Sequence, residues 1–150
     1  SLDRSTWVDS GTYPLPYATK YDGTNSTLLI HESGKDDDGS TMTSFIESGD
    51  FDIGDGDDIL FINKVIPDFK GQVGNVNISL KSRYFPTDTQ TTKGPFRYST
   101  SSTKINTRTR GRQVAVRLES NGFNDINNDA TGEDWRLGTI RFEVQPDGKR

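Results

Sequence analysis

Three short runs alternate with a period of two. In VNISLK, Val76, Ile78 and Leu80 interleave with Asn77, Ser79 and Lys81. In VAVRLE, Val114, Val116 and Leu118 interleave with Ala115, Arg117 and Glu119, and in IRFEV, Ile140, Phe142 and Val144 bracket Arg141 and Glu143. Strict alternation of this kind puts one face of an extended chain into a core and the other into water. No segment carries a sustained 3.6-residue stripe, so helices cannot supply the core.

Composition points the same way. Only 29% of the 150 residues are hydrophobic, and alanine stands only at Ala18, Ala115 and Ala130. A thin core of Val, Ile, Phe and Tyr suits two packed sheets better than a helical bundle. ILFINKVI (59–66) is apolar on both faces at its start and reads as a central strand that Pro67 ends. Gly34, Gly49, Gly54 and Gly56, set among aspartates, mark turns. PFRYSTSSTKINTRTR alternates weakly and reads as an edge or exposed ribbon. The expected fold is all-β: a single, mainly antiparallel β-sandwich of about seven or eight strands with long polar loops, and a helical turn inside 121–134 as the exception.

Residues 1–150 are expected to form one β-rich domain, with 1–27 as an N-terminal lead-in. The opening SLDRSTW lacks Met, and the chain reads as the C-terminal part of a longer protein. With no Cys, disulfides and thiolate metal sites are excluded. No apolar run is long enough to span a bilayer as a helix, so no membrane partner is expected.

The net charge of −4 conceals a segregation. Acids greatly outnumber bases between residues 32 and 68, whereas between 69 and 117 Asp88 is the lone acid among many Lys and Arg. In RTRGRQVAVRLES (108–120), Arg108, Arg110 and Arg112 share one face if the chain is extended, and Lys104 has the same parity. Such a row could follow a phosphate backbone, but the negative net charge and the lack of interleaved aromatics make DNA the less favoured partner. Arginine forks pair equally well with carboxylates. The row is therefore the expected partner contact, with acidic residues of the 32–68 stretch as complement, either in another copy or within the chain.

Catalytic patterns are weak. His31 is the only histidine, so imidazole chemistry would have to be built on HES, where His31 and Ser33 lie two residues apart on a strand. Glu32, Glu47 and Asp68 offer carboxylates for glycoside hydrolysis, but acidic turns produce such pairs without catalysis. No cofactor is expected. Calcium has two weak candidates. Asp125, Asn127 and Asp129 have the opening spacing of a calcium loop that then fails at Ala130 and Arg136, and Asp50, Asp52, Asp55 and Asp57 sit in turns that favour Asp for conformational reasons.

Spaced phrases give a more specific lead: DDDG (36–39), IESGDFDIGDGDD (46–58), IPDF (66–69), RGRQVAVRLES (110–120), WRLG (135–138) and DGKR (147–150). Over residues 28–150 the chain resembles the C-terminal end of tailed-bacteriophage structural proteins, the tail, neck or nozzle components. The resemblance implies a non-enzymatic role in the virion, with other virion subunits or further copies of the chain as partners. It also implies structural roles for Gly111 and Gly138 at bends and for Trp135 beneath the sheet. The alternative expectation is a carbohydrate-binding or host-surface-attachment module using Trp7, Tyr13, Tyr17 and Tyr21.

Overall fold

The computed structural model describes residues 4–36, 39, 42–52, 56–120 and 132–149. All regular structure among them is β. Ten strands run β1 (Thr6–Val8), β2 (Tyr17–Tyr21), β3 (Ser26–Ile30), β4 (Phe45–Glu47), β5 (Asp58–Val73), β6 (Val76–Arg83), β7 (Thr91–Tyr98), β8 (Ile105–Gly111), β9 (Gln113–Ser120) and β10 (Asp134–Lys149). They form three antiparallel sheets with orders β1-β2-β3, β10-β5-β8 and β4-β9-β6-β7.

The second and third sheets form the sandwich. Leu60, Ile62 and Val65 of β5 and Ile105 of β8 meet Val76, Ile78 and Leu80 of β6, Tyr98 of β7, and Val114, Val116 and Leu118 of β9 in one buried cluster. The alternating runs define its inner faces: β6 pairs β9 without slippage from Val76↔Ser120 to Arg83↔Gln113, so the two apolar sets stay on one side. Ile140, Phe142 and Val144 of β10 pack against the cluster as their alternation requires. Trp135 joins them with its ring 5.9 Å from that of Phe69, edge to face.

Several expectations need correction. Among the described residues the strands number ten, because the 1–27 lead-in holds β1 and β2 and contributes to a sheet of its own. Pro67 does not end its strand. β5 runs on to Val73, with Pro67 opposite Ile140. The β8 pairing has already stopped at Val65↔Ile105, so one side of β5 is an edge there and tolerates a residue without an N–H. Nor is β5 buried on both faces: Leu60, Ile62 and Val65 are inside, while Ile59 and Phe61 are only half-buried. The stretch 95–110, expected as an edge or an exposed ribbon, is divided between β7 and β8, which are edge strands of opposite sheets, so the edge reading holds and a single ribbon does not form. Most of 121–134, the stretch expected to hold a helical turn, lies outside the described residues, and Asp134 already belongs to β10.

Gly111 closes the sandwich where β8 turns into β9. A Cβ there would stand 2.8 Å from Cβ of Ser82 and 3.2 Å from the Arg83 carbonyl oxygen, so only glycine allows the approach. The N-terminal sheet is tied to the sandwich by the segment after β3, where Lys35 Nζ lies 2.8 Å from Asp134 and the Asp36 carboxylate accepts the Gly132 N–H.

Candidate functional site

The charge segregation resolves in part within the molecule. Glu47 of β4 accepts hydrogen bonds from Lys81 of β6 at 2.5 Å and from Arg117 of β9 at 2.9 Å. Arg117 also reaches Glu119 at 2.9 Å and lies 4.1 Å from the Phe45 ring centroid. Asp50 holds Arg83 and accepts from Gln90. The hydrogen bonds of Lys81 and then Arg117 hold the Glu47 carboxyl below its ordinary range, the opposite of what a proton-donating carboxyl requires. Acidic residues of the 32–68 stretch thus meet bases of β6 and β9, the pairing expected if the two stretches fall on neighbouring strands.

The arginine row is divided by its surroundings. On β8, Asn106, Arg108 and Arg110 are exposed and alternate with buried Ile105, Thr107, Thr109 and Gly111. The inward threonines satisfy one another, with Oγ1 atoms 2.9 Å apart. Arg110 Nε pairs with Asp147 at 2.8 Å across β5, over the Phe61 ring. Its carboxylate therefore comes from β10 and not from residues 32–68. Arg112 leaves the row: it follows the end of β8 at the bend, half-buried, and its backbone N–H donates to the Arg83 carbonyl at 3.0 Å. The extended parity fails there because the strand ends at Gly111. Lys104, exposed just before β8, adds to the field of Lys64 around Glu143. Hydrogen bonds from Lys64 at 2.6 Å and Asn63 at 2.7 Å keep the Glu143 carboxyl low. Among the described residues, Arg108 makes no ion pair.

The remaining candidates do not converge. His31 lies against Trp7, ring centroids 4.2 Å apart, and its Nε2 accepts from Arg4 at 3.4 Å. Glu32 adopts a positive φ of 58° in the turn after β3, and Glu47 is held in the ion-pair cluster on the other sheet. Asp50 is committed to Arg83; Asp55 lies outside the described residues, as do the calcium candidates Asp125, Asn127 and Asp129. The described residues contain no cluster of three or more His, Cys, Asp or Glu placed to hold a metal.

The four expected sugar-binding aromatics fall on two faces. Strand register aligns Trp7, Ala18 and Leu29 on one side of the N-terminal sheet and Val8, Tyr17 and Ile30 on the other, with Thr6, Thr19 and Leu28 in the next row of that second face. Tyr21 shares the parity of Tyr17 and Thr19, and Tyr13 packs over Tyr17 at 5.1 Å between centroids. Trp7 is therefore separated from the three tyrosines.

That second face is the feature that inspection of single residues missed. Val8, Ile30, Leu28 and Tyr21 are 50%, 52%, 64% and 60% exposed, and no strand of the sandwich covers them. In the sequence it shows in STLLIHES, which sets Leu28 and Ile30 on one side of a short strand and Leu29 and His31 on the other. No protein-family model matches the chain, and no curated protein matches it.

Proposed function

We propose that the protein is a non-enzymatic structural subunit of a bacteriophage virion, a tail or neck component that works through contacts with neighbouring subunits. The observation that carries the subunit reading is the apolar face of the N-terminal sheet. A contiguous array of Val8, Leu28, Ile30 and Tyr21 facing water is costly, and such patches on folded proteins mark surfaces covered by a partner. The virion assignment rests on the resemblance of the spaced motifs, from DDDG to DGKR, to phage structural proteins.

In this reading the sandwich is a rigid body and the N-terminal sheet is the element that docks. Among the described residues, polar contacts tie it to the sandwich, Lys35–Asp134 and Asp36–Gly132, and its exposed apolar side chains leave burial to be gained from a neighbour. The β8 cations stand apart from this face and serve another purpose.

Immunogold electron microscopy with antibody against this chain, on phage particles from the same source, tests the assignment. Label on a tail or portal vertex is the expected result. Absence of label on both intact and opened particles would remove the virion reading.

A further inference from the structure

The two long edges of the sandwich are finished differently. On one, Phe51, bridged to Val114 beyond β4, packs on Phe142 of β10 with ring centroids 5.3 Å apart, and aromatic contact seals the gap. On the other, β7 and β8 leave two clefts, of about 340 and 290 Å3, that both include Lys93 of β7 and Arg108 of β8. Sharing these two walls, the clefts form one trough along the open edge.

Four cations line this trough, and two of them are already paired. Asp50 takes Arg83 and Asp147 takes Arg110, and the one acid in the lining, Asp88, accepts the Phe85 N–H through its carboxylate at 2.9 Å. Neither Lys93 nor Arg108 makes an ion pair among the described residues. These two cations without an acid repel each other across the trough, and an anion between them would turn that repulsion into attraction. Thr89, Thr91 and Asn106 add hydroxyl and amide groups to the lining, while Tyr84 stands towards one end and Phe96 towards the other.

We infer that this trough binds an acidic polysaccharide, with Arg108 and Lys93 on the acidic group of a sugar, the threonines and Asn106 on ring hydroxyls, and Tyr84 and Phe96 against sugar faces. The mixture selects the ligand class. Polyhydroxylated chains use many neutral donors and acceptors and few charges. A nucleic acid would call for a longer track of cations than the two that lack an acid here, on a chain whose net charge is −4. An acidic peptide leaves the hydroxyl lining without a role. This inference is independent of the virion assignment and of the apolar face.

The test is binding of fluorescent polygalacturonate and dextran sulfate to the full chain at low salt, with neutral dextran, polyglutamate and single-stranded DNA alongside. The trough predicts that at least one acidic polysaccharide binds, and preference between carboxylated and sulfated polymers identifies the acidic group. Lys93→Ser with Arg108→Ser should weaken binding by about tenfold or more, while Arg108→Lys retains part of it. Arg141→Ser, an exposed β10 cation away from the trough, should leave it unchanged, and unaltered thermal unfolding of each variant shows that the fold survives. No binding of either acidic polysaccharide, equal binding of polyglutamate or DNA, or full binding by the double variant would each overturn the inference.

Discussion

Arg117 holds Glu47 from 70 positions away in the sequence, at 2.9 Å across the β4–β9 pairing, with the Phe45 ring beneath its guanidinium. β4 is only three residues long, and its side chains are exposed. This polar clasp, completed by Lys81, supplies what the strand lacks in buried apolar surface.

Loss of that carboxylate should therefore be visible in the pH dependence of stability. The folded-state pKa of Glu47 lies below its ordinary value of 4.5, so its contribution is present above that value and fades as the pH falls through the folded pKa. Glu47→Gln should unfold at a lower temperature than the parent at pH 7. The gap should narrow as both proteins are taken into acid below about pH 4; a gap that stays constant on acidification would show that charge is not its source.

Gly111→Ala should destabilise the sandwich by about 1–3 kcal/mol, because the new methyl group meets Ser82 Cβ and the Arg83 carbonyl and cannot be relieved by turning a flexible side chain. Gly11→Ala, where an added Cβ meets nothing within 4 Å, is the matched control and should change stability little. Urea unfolding of the two variants makes the comparison.

Two leucines of similar apparent hydrophobic role should behave differently. Leu80 is 0% exposed inside the two-sheet core, so Leu80→Ala should cost about 2–5 kcal/mol. Leu28→Ala removes a side chain on the open face and should cost less than about 1 kcal/mol in the isolated chain. Measured by denaturant unfolding, an equal loss at both sites would mean that the N-terminal face is covered in solution.

Introducing charge on that face should prevent docking without unfolding the chain. Leu28→Asp with Ile30→Asp is expected to abolish incorporation into particles while leaving the far-ultraviolet circular dichroism and the thermal midpoint of the sandwich in place. Normal incorporation of the variant would move the subunit contact elsewhere.

Arg110→Ser separates the two neighbouring β8 arginines. Its pair with Asp147 is solvent-exposed, so the change should alter stability by no more than about 1 kcal/mol. A larger loss in thermal unfolding would indicate that the guanidinium's place over Phe61 matters more than its charge.

The sequence by itself determined the all-β class and the inward sets of β6, β9 and β10, because a period of two can be satisfied only by extended chain with one face covered. Structural roles for Gly111, Gly138 and Trp135 came only as what the resemblance implies. Tertiary structure decided the rest. Parity suggested that Arg108, Arg110 and Arg112 act together, but the end of β8 at Gly111 removed Arg112, and a strand two places away across the sheet gave Asp147 to Arg110. The lead-in gained a sheet because YATKY pairs on both sides, with STLLI, which the sequence shows as a strand, and with TWV, which carries little signal of its own. Which charges are left over depends on long-range pairing between strands, and the trough at Lys93 and Arg108 exists only because β7 and β8, neighbours in sequence, end as facing edges of two different sheets.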